Sequence, residues 1–204
     1  MFTGCSLRRI KKSEKPQRRV IKKSQKNQKK LQPLATQNAD HEINGEIMGR
    51  GKSTQDQMKN FLLKYNRSLD EDLAEKMAYL YVEESEAEGV NHDVAFIQMC
   101  LETSFLRFGN QVKVEQNNFA GMGATDDGAA GLSFPTIRIG IRAHIQHLKG
   151  YASSDDMNQV VVDPRLKYVK RGIAPTVDDL AGRWASDRKY GIKIRKLIQK
   201  LYSM

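Results

Sequence analysis

The chain has 204 residues, a formal net charge of +10 and two cysteines. That length suits one domain with a sizeable core and not two large ones. Two cysteines exclude a disulfide framework, and no run of about 18 apolar residues is present to span a membrane as a helix. The charge is uneven: residues 1–32 hold 12 Lys and Arg against one acid, Glu14, whereas the remainder holds 22 basic and 23 acidic residues. The near-neutral remainder argues against specific nucleic-acid binding and leaves the basic character to a tail.

In chain order, residues 1–50 are poor in apolar side chains and rich in Lys, Gln, Asn and Ser, which predicts a disordered basic tail and polar linker. Such a tail attracts anionic surfaces and polymers. Phe2-Thr3-Gly4-Cys5 resembles the end of a bacterial lipoprotein signal, in which the Cys receives lipid, although no apolar signal region precedes it here. The folded domain is expected over 51–204. Thr54 with Gln57 has capping-box spacing, and Met58, Phe61, Leu62 and Tyr65 follow at helical intervals. Ser68 with Glu71 offers a second capping box for a helix that Gly89 ends. Asn91 then caps a third helix, expected to run to about Gly109, in which Cys100 reads as a small core residue.

Val112 and Val114 alternate with polar residues and hint at a short strand. They lead into a glycine-rich stretch with Gly121, Gly123, Gly128 and Gly131. Thr136 opens a helix to Ala152 with a stripe of Ile137, Ile141, Ile145 and Leu148. His144 and His147 lie on it three apart, but no third ligand with suitable spacing accompanies them, so they read as packing or surface histidines and no metal is expected. After an irregular stretch over 153–175, Thr176 and Asp179 would cap a short helix carrying Leu180 and Trp184. Asp187 would cap the last helix, whose stripe is Tyr190, Ile194, Leu197, Ile198 and Leu201. The sum is a mostly α, α+β arrangement: a helical lobe, a small glycine-rich β lobe, and a cleft between them.

One carboxylate stands out. Glu102 lies among apolar neighbours of the third helix, with Gln98, Phe105 and Leu106 three or four residues away. Packing against Met99 and Phe105 would remove water and raise its pKa, and a carboxylic acid still protonated near neutrality can donate a proton to a leaving oxygen. The alternative is an exposed helix-end Glu.

Glu102-Thr103-Ser104, then Asn117-Asn118-Phe119-Ala120-Gly121, then the helix to Tyr151, then Trp184-Ala185-Ser186-Asp187-Arg188-Lys189-Tyr190 together resemble the glucosaminidase domain, glycoside hydrolase family 73. The resemblance covers about residues 47–203. It implies a lysozyme-like fold, no cofactor, and cleavage of the β-1,4 bond after N-acetylglucosamine in peptidoglycan, with Glu102 as general acid. It also implies a monomer acting on glycan strands in the cell envelope. Tyr190 is then a candidate to line the cleft near the scissile sugar, or else a core aromatic. Asn118 and Phe119 match the run that closes the glycan groove, and Gln98 and Trp184 are further candidates for sugar binding. Many members carry a second acid in a longer β-lobe segment; here only Asp126 and Asp127 are available between Gly121 and Pro135. Either would serve as the second carboxylate that glycosidases normally use, unless the substrate's acetamido group assists instead. A glycan-binding module of the same fold, without catalysis, is the alternative function.

Overall fold

The computed structural model describes residues 43–109, 113–124 and 131–204. The basic tail, Cys5, Asp126 and Asp127 lie outside the described residues. Those residues form five α-helices: α1 (Gln55–Tyr65), α2 (Glu71–Glu88), α3 (His92–Glu102), α4 (Ile137–Ala152) and α5 (Tyr190–Tyr202).

α3 is the centre. Every residue from His92 to Cys100 is buried, as expected of a helix apolar on all sides. It packs against α2, α4 and α5, while α1 covers α2 and α5. Its N-terminus is pinned by Asp93, which is fully buried. That carboxylate accepts hydrogen bonds from the backbone N–H of Lys52 at 2.6 Å and Ser53 at 3.2 Å, and from the hydroxyl of Tyr202 on α5 at 2.6 Å.

Several local cap signals hold. Thr54 and Gln57 form the reciprocal capping box of α1, Gly89 ends α2 in the left-handed region, and Asn91 caps α3. Five expectations need correction. The N-cap of α5 is Lys189, with no side-chain cap bond; Asp187 lies two residues earlier, and its Oδ1 accepts from Lys189 N–H at 2.8 Å. The N-cap of α2 is Asp70, whose carboxylate accepts from Leu73 N–H, while the Ser68 hydroxyl donates to Asn66 instead. The linker stops short of residue 50: Ile47 is fully buried, its N–H bonds Pro175 O, and its own carbonyl receives Asn91 N–H. Two or three scattered apolar residues were enough to join 43–50 to the core, too few to make a periodic signal. Val114 begins a 3-10 turn (Val114–Gln116), and the described residues of the glycine-rich region contain no strand. Lastly, the Asp179 carboxylate accepts from Thr176 N–H at 3.0 Å and from the Thr176 hydroxyl at 2.6 Å, but the chain continues in turns through Gly182 at φ 77° and forms no helix there.

Two buried carboxylates fasten the segment after α4. Glu84 binds Arg138 and Arg142 of α4 at 2.6 and 2.8 Å, and Gln159 at 3.2 Å. Glu88 binds Lys149 at 3.2 Å, Gln146 at 3.0 Å, and the N–H groups of Asn158 and Gln159 at 2.8 and 3.1 Å. Burial opposes the ionisation of Glu88, but these donors outweigh it and hold the carboxyl below its ordinary value.

Candidate active site

α3 ends at Glu102, not near Gly109. The next residues turn sharply: Ser104, Phe105 and Leu106 have φ of 52, 58 and 61°. Consecutive left-handed residues other than glycine cost about 1–2 kcal/mol each, so the surroundings must hold them. The Thr103 hydroxyl donates to Met99 O and accepts from Leu106 N–H. Asn66 Nδ2 donates to Phe105 O at 2.9 Å, and the Phe105 ring stacks on Tyr65 at 4.6 Å. Phe105 therefore points into the α1 side of the core and does not flank Glu102 as its spacing had suggested. The turn leaves Glu102 as the last helical residue, at the tip of the central helix.

Glu102 is half-buried. Its Oε1 accepts from the hydroxyl of Tyr190, the first residue of α5, at 2.5 Å, and from Trp184 Nε1 at 3.2 Å. Burial raises its pKa above the ordinary carboxyl value, and the two donors pull it part of the way back. The loop over 118–124 runs alongside: a Cβ on Gly121, which has φ 62°, would lie 3.9 Å from Glu102 Oε2. That loop rests flat on α4 because Gly140 has no side chain; a Cβ there would sit 1.8 Å from Asn117 O.

The other candidates divide. Trp184 is half-buried, and its ring packs on His147 and Tyr151 of α4 at 5.3 and 5.7 Å between centroids. Tyr190 is 6% exposed with its hydroxyl on Glu102, so it is both a core aromatic and a member of the site. Asn118 is 1% exposed. Its amide donates to Met122 O and Leu132 O and accepts from Met122 N–H, which orders the loop and leaves nothing for a sugar. Phe119 is buried in the core beside Phe108. Gln98 is fully buried, with its amide between His144 and Tyr190. These three were expected at the sugar and are instead buried among protein partners. Among the described residues no cluster of three or more His, Cys, Asp or Glu side chains is placed to hold a metal. No helix among them is long and apolar enough to cross a membrane.

Sequence reasoning missed Tyr81 and His144 as contributors. His144 is fully buried, and burial, aided by the nearby His147, lowers its pKa to about 3. The Tyr81 hydroxyl lies 2.9 Å from its Nδ1. The one available signal was a polar residue lying within an apolar stripe, as Gln98 lies on α3 and His144 on α4.

A mostly helical fold that presents one half-buried, hydrogen-bonded carboxyl at the end of its central helix is the arrangement of a lysozyme-like glycoside hydrolase. Residues 78–203 match the family model Glucosaminidase, described as mannosyl-glycoprotein endo-beta-N-acetylglucosaminidase, and the chain belongs to that family. A protein of Borreliella burgdorferi described as an uncharacterized protein is 44% identical over 155 residues, 76% of each chain. Among solved structures, S. aureus autolysin E in complex with the muropeptide NAM-L-Ala-D-iGlu is similar with a TM-score of 0.50 and 18% identity, over 78% of this chain and 71% of that one. A catalytic mutant of the same autolysin in complex with the disaccharide NAG-NAM gives 0.50 and 16% over the same shares. At such identities these two structures speak for the fold alone.

Proposed function

We propose that this chain is a peptidoglycan endo-β-N-acetylglucosaminidase in which Glu102 is the general acid, protonating the glycosidic oxygen after N-acetylglucosamine. The observation that carries the reading is the carboxyl itself: it is desolvated, held by Tyr190 and Trp184, and placed at the tip of α3. A raised pKa keeps part of it protonated where an ordinary Glu would be ionised, which is the state proton donation needs. The autolysin neighbours, crystallised with a muropeptide and a disaccharide of the wall, favour glycan strands as the substrate. Trp184, half-buried beside Glu102, offers a ring for sugar stacking. Tyr190 steadies the carboxyl by donating to Oε1. Asp126 or Asp127, in the glycine-rich part of the sequence, supplies the second carboxylate. No metal or organic cofactor takes part.

This substrate lies outside the cytoplasmic membrane, so the site of action is the cell envelope. The basic tail over 1–32 attracts the anionic envelope surface, and Cys5 is the candidate position for lipid attachment.

The test uses purified sacculi. Glu102→Gln should retain binding to sacculi and lose release of reducing sugar by at least about 100-fold, the usual contribution of a general acid. Mass spectrometry of the wild-type digest should show products ending in reducing N-acetylglucosamine. Release at the wild-type rate by the variant would refute Glu102 as the acid. Binding without clearing by the wild-type chain would favour the glycan-binding module.

A further inference from the structure

Four polar side chains run in single file from the middle of the core to Glu102. The Tyr81 hydroxyl on α2 meets His144 Nδ1 on α4 at 2.9 Å. His144 Nε2 meets Gln98 Oε1 on α3 at 3.0 Å. Gln98 Nε2 donates to the Tyr190 hydroxyl on α5 at 3.1 Å, and that hydroxyl donates to Glu102 at 2.5 Å. Tyr81, Gln98 and His144 are all fully buried. The path recruits all the helices that touch α3, and each buried polar group in it has a partner, as the low-dielectric interior requires.

The path also has a direction. A neutral imidazole has one donor and one acceptor nitrogen, and His144 is neutral because burial lowers its pKa to about 3. Gln98 Oε1 can only accept, so His144 must carry its proton on Nε2. Its Nδ1 then accepts from Tyr81. With Oε1 committed to His144, the amide turns Nε2 toward Tyr190. The Tyr190 oxygen receives that N–H, and its own proton is left to point at Glu102. Reversing the Gln98 amide would make Tyr190 donate into the core and leave its oxygen lone pairs facing the ionised form of Glu102, 2.5 Å away.

We propose that Gln98 and His144 are positioning residues: they act through Tyr190 to fix its hydroxyl as a donor to Glu102, although neither touches substrate. This rests on Glu102 being the acid. Burial drives Glu102 toward its protonated form, and a donor locked in place draws it back, so the relay tempers how readily the acid ionises. The titratable groups around the path are Tyr81 on α2, Cys100 on α3, Tyr190 on α5, and His147 and Tyr151 of α4 behind Trp184, with Asp163 on His147 at 2.7 Å. The described loop over 118–124 brings none.

The test compares full-length wild type with Gln98→Met and Tyr190→Phe, and with both together, following hydrolysis of sacculi across pH. Gln98→Met should move the alkaline limb of the rate profile to higher pH, in the direction that Tyr190→Phe moves it. It should lower the plateau by about 10- to 100-fold, the usual cost of a misplaced catalytic group, with KM unchanged. The double variant should add nothing to Tyr190→Phe, because both act through one hydroxyl. A Gln98→Met profile superimposable on wild type, or shifts that add, would overturn the relay. A readout that needs no variant to fold is the nitrogen NMR of wild-type His144: the Nε2–H tautomer at neutral pH supports the direction of the path, and an Nδ1–H tautomer overturns it. If Tyr190→Phe itself leaves the limb in place and Glu102→Gln remains active, the choice of acid fails rather than the relay.

Discussion

Glu102 should be a stability liability at neutral pH. Its folded-state pKa lies above the ordinary value, chiefly because of burial. For a group raised in this way, the favourable contribution to folding is fully present below the unfolded-state pKa and is lost as pH rises through the folded-state pKa. Wild type therefore carries a penalty at neutral pH that it lacks in acid. Glu102→Gln removes the charge and keeps the contacts, because both donors, Tyr190 and Trp184, land on Oε1, and a glutamine carbonyl in that place accepts both. Those bonds weaken somewhat without the charge. The net expectation is a gain of about 1 kcal/mol near pH 7.5, in the range usual for relieving an active-site group, or a Tm rise of about 2–4 °C for a domain of this size. Urea unfolding of both proteins near pH 7.5 and near pH 3.5 measures it through midpoints at constant m-value. The advantage should vanish at the acid end. A variant less stable than wild type at the higher pH, or equally advantaged at both, would refute the reasoning.

Two further predictions concern the supports. Lys149→Met removes the ammonium paired with the buried Glu88 carboxylate and should cost about 3 kcal/mol in urea unfolding at neutral pH, the low end for breaking a buried pair, because three neutral donors stay in place. Gly140→Ala drives a methyl group into Asn117 O and must displace the loop beside Glu102. It should cost about 1–3 kcal/mol of stability and lower activity on sacculi, which a melt and a turbidity assay would show together.

The sequence announced features whose cause lies within a few residues. Thr54 with Gln57, Gly89 and Asn91 each satisfy backbone groups next to them, so spacing was enough. α3 was expected to run on because Phe105 and Leu106 continue its apolar rhythm. What holds the turn that ends it is the Thr103 hydroxyl, bonded to Met99 O and Leu106 N–H, together with Asn66, 39 residues away, holding Phe105 O. The stretch around Trp184 had a sound start signal in Thr176 and Asp179, but Gly182 breaks the path that would have extended it. At the site, the spacing around Glu102 left an exposed helix-end Glu open, and resemblance to a family singled out Glu102, Tyr190 and Trp184. Gln98 read as a sugar ligand because it lies one helical turn from Glu102. Its true partners, His144 and Tyr190, are 46 and 92 residues distant, beyond the reach of any local pattern.

α5 supplies Tyr190 to one end of α3 and Tyr202 to the other. Both contacts join residues that are about 90 to 110 positions apart, so they form only once α5 is available. A nascent polypeptide, or one threaded unfolded through a translocation channel, thus carries Glu102 as an ordinary solvated acid. An enzyme that dissolves a wall can in this way stay harmless in transit and become competent when α5 docks.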